Sequence, residues 1–81
     1  MKKIVHVRYF ALLREQRGLG EEPVATSAAT ARELYEELRG RHGFTLAAER
    51  LRVAVNDEFE PWDVVLRDSD TVAFLPPVAG G

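Results

Sequence analysis

The chain has 81 residues and no cysteine, which gives room for one domain and excludes disulfides, thiolate metal sites and cysteine nucleophiles. Its 11 basic and 13 acidic residues give a net charge of −2 without a basic block, so we expect no nucleic-acid partner. No apolar run reaches the ~20 residues of a membrane-spanning helix, so we expect a cytoplasmic protein with no membrane partner.

The first part of the chain predicts a strand, a short helix and a second strand. Residues 3–9 alternate between apolar and polar side chains, which is the period of a strand with one wetter face. Residues 10–17 change to a helical pattern that ends before a glycine pair. Residues 22–26 predict a second strand, which we place at a sheet edge because Pro23 has no amide proton to donate.

The clearest local signal is a longer helix that begins after Thr30 and ends near residue 42. Thr30 and Glu33 form a capping-box pattern, in which the hydroxyl caps a free amide and the carboxylate reaches back. One apolar stripe at helical spacing consists of Ala31, Leu34, Tyr35 and Leu38. We therefore expect this helix to pack across a sheet.

The second half predicts mostly extended structure. After one further turn in residues 46–50, residues 51–55 form a strand, residues 59–66 an interrupted extended stretch, and residues 71–75 the final strand. The order of elements predicts an α/β (α+β) fold, a mixed sheet with one main helix across one face.

The last residues form a stiff and then slender tail. Pro76 and Pro77 end the final strand, and the side chains shrink to none at Gly80 and Gly81. We expect a folded domain over residues 1–76 and a flexible, extended tail over residues 77–81. A free carboxylate at Gly81 could undergo acyl chemistry only after activation, for example as a mixed anhydride with AMP. The alternative is a frayed end without a role.

Several short motifs resemble one known family. They are Phe10-Ala11, Leu13-Arg14-Glu15, Thr30, Ala54-Val55-Asn56, Leu66, Asp70, Val72-Ala73-Phe74 and Pro76-Pro77-Val78-Ala79-Gly80-Gly81. Together they resemble the MoaD family, the small subunit of molybdopterin synthase, whose members are ubiquitin-like (β-grasp) sulfur carriers. One departure is Ser69, where the family usually has glycine; a serine is tolerated in this turn, especially if its φ is negative, and we interpret the difference as local backbone variation.

The resemblance implies a mechanism at the C-terminus. A ubiquitin-activating-like adenylyltransferase would adenylate Gly81, and a sulfur donor protein would convert the acyl adenylate to a thiocarboxylate. The tail would then enter the large synthase subunit in a heterotetramer and give its sulfur to cyclic pyranopterin monophosphate, forming the molybdopterin dithiolene. The chain would bind no cofactor, and it would not be an enzyme on its own, because the catalytic groups are expected in the large subunit.

Large apolar side chains near the tail are the candidate partner-binding residues. By resemblance, Phe10, Phe59 and Leu75 fall where family members contact the large subunit and the activating enzyme, and the tail adds Pro76, Pro77 and Val78. The alternative is that Phe10 and Phe59 complete the core, where we place Phe74. We expect no metal site, because neither His6 nor His42 has a second ligand at metal-binding spacing.

Other functions remain open at this point. The chain could be a sulfur carrier for another product, such as the thiazole of thiamine, although such carriers are usually shorter. It could be a ubiquitin-like modifier, in which activated Gly81 is joined to lysines of other proteins. It could also be an interaction module whose tail has no chemical role.

Overall fold

A computed structural model describes residues 2–77, in which five strands form one mixed sheet. The elements are β1 (Lys3–Tyr9), α1 (Leu12–Arg17), β2 (Glu21–Thr26), α2 (Ala31–His42), a 3-10 turn (Ala48–Arg50), β3 (Arg52–Val55), β4 (Glu58–Glu60) and β5 (Thr71–Leu75). The strand order is β2-β1-β5-β3-β4, and only β1 and β5 pair in parallel. The predicted mixed sheet is confirmed, as is the edge position of the strand that contains Pro23.

The core lies between one face of the sheet and α2. Val5, Val7 and Tyr9 of β1 point into it, as the alternation predicted, together with Phe74 of β5. The apolar stripe of α2 is fully buried against these side chains. Within residues 2–77, both α-helices pack on the core side, and the other face of the sheet, called the open face below, carries none. No helix within residues 2–77 is long and apolar enough to cross a membrane.

Two predicted elements are shorter in the structure. Helix α1 begins at Leu12 and not at residue 10, because Ala11 has a φ of 52° and cannot continue a right-handed helix. The extended stretch predicted for residues 59–66 is a strand only up to Glu60. Pro61 follows, and beyond it only Val65 makes an isolated bridge, to Thr30.

The capping signal of α2 is confirmed with one difference. The Thr30 hydroxyl accepts a hydrogen bond from the Glu33 amide at 3.3 Å. The Glu33 carboxylate accepts from the Ala29 amide at 3.3 Å, one residue earlier than a capping box specifies. Gly43 ends the helix in a left-handed conformation, and its amide donates to the Arg39 carbonyl at 2.8 Å.

A part-buried polar cluster ties α1 to β1 and β2. The Glu22 carboxylate accepts two hydrogen bonds from Arg17, both at 2.8 Å, and one from the Tyr9 hydroxyl at 2.7 Å. His42 Nε2 lies 3.9 Å from Glu22 Oε2 without a hydrogen bond. The hydrogen bonds from Arg17 hold the pKa of Glu22 at about 2, below its usual 4.5, and burial lowers the pKa of His42.

The turn before β5 contains the serine that departs from the family pattern. Ser69 has a φ of 74°, so it does not adopt the negative φ that would suit a serine best. The chain holds this conformation because the turn is fixed to β1: the Ser69 amide donates to the Ile4 carbonyl at 2.7 Å, and Asp68 Oδ1 accepts from the Ile4 amide at 2.8 Å. A positive φ at the third residue is the turn geometry in which glycine is preferred.

Replacing Ser69 by glycine should therefore stabilise the protein. A positive φ costs an L-residue roughly 1–2 kcal/mol, and the greater freedom of unfolded glycine cancels about 0.5–1 kcal/mol of the gain. We expect Ser69→Gly to raise the free energy of unfolding in urea by about 0.5–1 kcal/mol. Ser27→Gly is the control: Ser27 is exposed and has no positive φ, so the same change there should destabilise. A loss of stability in Ser69→Gly would contradict this account.

Stability should fall in acid because of Glu22 and His42. Both pKa values are lower in the folded chain than in the unfolded one, so the unfolded state binds protons first. The His42 contribution should be lost as the pH falls below 6.5, and that of Glu22 between about pH 4.5 and 2. Urea unfolding from pH 8 to 3 should show this loss, and Glu22→Gln should be less stable at pH 7 with a flatter acid limb. An unchanged acid limb would exclude Glu22 as a cause.

Candidate functional site

The open face carries a row of side chains that crosses four strands. The strand register places Arg8 of β1 beside Ala73 of β5, Ala73 beside Ala54 of β3, and Ala54 beside Phe59 of β4. The two alanines are too small to rise above the sheet, so the middle of the row is low. Arg8 and Phe59 stand on either side of the alanines, and Glu21 of β2 lies beyond Arg8 in the same register. The result is a shallow depression between larger groups.

A groove of about 580 Å³ continues from this row to the point where the chain leaves β5. Its lining consists of Glu49, Arg50, Leu51, Arg52, Phe59, Leu75, Pro76 and Pro77. Four of the predicted partner-binding residues thus meet in one place, although Phe59 is distant in sequence from the other three. The cause is the register, which sets Leu75 opposite Arg52 and Ala54 opposite Phe59. The groove is mainly apolar and open to solvent.

Exposure separates the large aromatic residues into two groups. Phe59 is 65% exposed, so it does not complete the core, whereas Phe74 is fully buried as expected. Phe10 is half-buried and follows the C-terminal end of β1, which lies next to the C-terminal end of the parallel strand β5. It does not line the groove. Binding of a partner by Phe10, Phe59 and Leu75 stays a prediction.

The predicted reactive end lies outside the described residues. This applies to Val78, Gly80 and Gly81, and the last described residues are Pro76 and Pro77. Both prolines line the groove, so the four remaining residues start from it. The open face and the tail are therefore joined directly through a proline pair.

Two arginines of the open face were not singled out from the sequence. The Arg52 guanidinium lies over the ring of Phe59, 5.4 Å from its centroid, and the Arg8 guanidinium lies over Phe10 at 5.3 Å. The alternation in residues 3–9 already placed Arg8 on the wetter face. What was missing was the pairing of β3 with β5, which brings Arg52 onto the same face.

Each histidine lies near a glutamate side chain of this protein. His6 Nε2 lies 2.5 Å from the Glu21 carboxylate at the surface, and His42 belongs to the polar cluster around Glu22. Within residues 2–77, no group of three or more histidine, aspartate or glutamate side chains is placed to hold a metal ion.

Comparison with known proteins gives consistent matches along nearly the full chain. The sequence pattern of the ThiS family matches residues 7–81. The molybdopterin synthase sulfur carrier subunit of Escherichia coli is 35% identical over 81 residues, which is 96% of this chain and 100% of that protein.

Solved structures also match nearly the full length of this chain. The putative molybdopterin converting factor, subunit 1, from Pyrococcus furiosus has a TM-score of 0.78 and 34% identity, over 94% of this chain and 99% of that one. Small archaeal modifier protein 1 from Methanosarcina acetivorans has a TM-score of 0.78 and 25% identity, over 100% and 99%. In a complex of subunits 1 and 2 of molybdopterin-converting factor from Helicobacter pylori, the similar chain has a TM-score of 0.64 and 29% identity, over 96% and 99%. The fold is a ubiquitin-like β-grasp.

Alanine substitutions should separate the open face from the core. Phe59→Ala removes an exposed ring, so we expect the free energy of unfolding to change by less than about 1 kcal/mol. Phe74→Ala removes a buried ring and leaves a cavity, which should cost about 3–5 kcal/mol. Urea unfolding of both variants measures this difference. Comparable losses would mean that Phe59 supports the fold.

Proposed function

This chain belongs to the ThiS family, and we propose that it is the sulfur carrier subunit of a molybdopterin synthase. The observation that carries the proposal is the similarity to sulfur carrier subunits over nearly the full length of both proteins. The apolar groove beside the tail supports it, because a carrier must dock on a partner and extend its terminus into it. On this proposal residues 1–76 dock and residues 77–81 react.

The proposed chemistry takes place at the carboxylate of Gly81. A carboxylate is a poor electrophile, so an adenylyltransferase first joins it to AMP from ATP and releases pyrophosphate. Hydrosulfide delivered by a donor protein then attacks the carbonyl carbon, AMP leaves with the electron pair of the broken C–O bond, and loss of the S–H proton gives the thiocarboxylate. The resulting thiocarboxylate is the nucleophile that carries sulfur to cyclic pyranopterin monophosphate. No bound cofactor and no side chain of residues 2–77 enter these steps.

The tail suits delivery into an enclosed site. The four residues after Pro77 span at most about 13 Å when extended. Glycines at the tip present no side chain to a narrow channel, and the preceding prolines limit the directions in which the tail can leave. Because the groove surrounds the start of the tail, a partner bound there would fix how deep the terminus reaches.

The proposed partners follow from this chemistry. They are the large synthase subunit, in a heterotetramer, the adenylyltransferase and the sulfur donor protein, all in the cytoplasm. Acid–base and anion-binding groups would come from the large subunit. The chain itself would act as a co-substrate that is recharged and used again, without catalysing a step alone.

A protein modifier is the second candidate function. The similarity to small archaeal modifier protein 1 favours it, and the steps up to the acyl adenylate are the same. The two functions differ in what attacks the activated Gly81: a sulfur nucleophile or a lysine amine of another protein.

Intact mass spectrometry of the protein from its native cells tests the proposal. We expect a species about 16 Da heavier than the carboxylate form, since sulfur replaces one oxygen, with the change located at Gly81 by fragmentation. Gly81 attached to lysines of other proteins, with no thiocarboxylate, would support the modifier. A terminus that is always unmodified would contradict both.

Variants of the tail add a functional control. Deleting Gly81, or adding one alanine after it, should abolish synthesis of molybdopterin by the reconstituted synthase, because the carboxylate is lost from its required depth. Both variants should keep the wild-type unfolding midpoint. Full synthesis with the extended variant would contradict the proposed role of Gly81.

A further inference from the structure

The open face carries arginines that have no carboxylate partner in the part of the chain that the structure describes. Arg8, Arg50 and Arg52 form none of the salt bridges of residues 2–77. Four other arginines pair with glutamates, namely Arg17, Arg32, Arg39 and Arg41. Arg50 and Arg52 line the groove, and Arg8 lies on the same face of the sheet as Arg52, in a chain whose net charge is −2.

The acidic residues nearest to these arginines either face the other side of the sheet or contact another side chain. Glu21 lies opposite Arg8 on the open face, and its carboxylate contacts His6 Nε2 at 2.5 Å. Glu58 and Glu60 lie on the same strand as Phe59, but the register pairs them with Val55 and Val53, whose side chains face the core. Glu49 lines the groove and pairs with Arg32 at 3.2 Å. The groove thus combines an apolar floor with positive charge at its rim.

Two of these arginines lie over aromatic rings. A guanidinium that lies over an aromatic ring uses its flat face for the ring and keeps the N–H groups at its edge free. The guanidinium carbon of Arg52 lies 5.4 Å from the ring centroid of Phe59, and that of Arg8 lies 5.3 Å from the ring centroid of Phe10. The free edge is the part that binds carboxylates with two parallel hydrogen bonds. Each stack therefore offers an apolar ring and a carboxylate-binding edge side by side.

We propose that Arg8 and Arg52 are specificity residues that bind carboxylates on the docking surface of the large synthase subunit. This inference rests on the proposed function, and it adds the chemistry of the partner: an apolar centre that fills the groove, with aspartate or glutamate side chains next to it. Arginine and aromatic residues are the types enriched at the centre of protein interfaces. A charge pair buried there selects one partner and excludes surfaces of the same sign.

Charge reversal tests the proposal. The chain and its large subunit are titrated by calorimetry at low and moderate salt, with wild type, the double variant Arg8→Glu/Arg52→Glu, and the control Arg67→Glu. Arg67 is an exposed arginine at the opposite end of β5 and likewise forms no salt bridge within residues 2–77. We expect the double variant to bind at least about 10-fold more weakly, and Arg67→Glu to stay within about 2-fold of wild type. Arg52→Lys should lose part of the affinity, because it keeps the charge without the planar fork.

Each result has a defined meaning. Equal binding by wild type and the double variant would overturn the proposal, and so would an equal loss in Arg67→Glu, which would indicate an effect of overall charge. Circular dichroism and thermal unfolding check the fold; if the double variant unfolds, Arg8→Gln/Arg52→Gln replaces it under the same criterion. If wild type does not bind the large subunit, the inference fails. The mass of the Gly81 terminus then still decides separately whether the chain carries sulfur.

Discussion

The parallel pairing of β1 with β5 is the constraint on which the rest of the molecule depends. Parallel neighbouring strands need a long crossover connection. The residues between β1 and β5 in the sequence therefore have to cross the sheet before the chain enters β5. The main helix α2 makes that crossing and covers one face. The same pairing places the C-terminal ends of both strands next to each other, at the same end of the sheet. The start of α1, the phenylalanine before it and the prolines before the tail therefore lie near one another.

A sheet covered on one side only has a second face that is free for binding. The centre of this face is low because β3 and β5 carry small residues there, Ala54 and Ala73. Its rim rises because Phe59 and the arginines stand beside them. The apolar groove on this face lies open to solvent. Here it adjoins the start of the tail, so docking and delivery use neighbouring parts of one surface.

Other parts of the chain keep the fold rigid around this surface. The turn that contains Ser69 is fixed to the start of β1 by backbone hydrogen bonds, at the end of the sheet far from the groove. The polar cluster around Glu22 fixes α1 against β1 and β2, where the chain bends after Phe10. Both features tolerate a local cost, a positive φ in one case and a part-buried ion pair in the other, because neighbouring contacts hold them in place.

The sequence by itself determined the elements, their order and the family. The alternation in β1, the capping of α2 by Thr30 and the proline within the edge strand β2 are local signals, and each depends on residues at most a few positions apart. The tail and its short motifs were enough for the resemblance to a sulfur carrier, which the comparisons confirm at the level of the family. The tertiary structure decided which residues that are distant in sequence share a face of the sheet. Periodicity could not show that Phe59 lies across from Ala54, that Arg52 stacks on Phe59, or that Ser69 has a positive φ, because strand register and the fixing of turns depend on contacts between residues far apart in the chain.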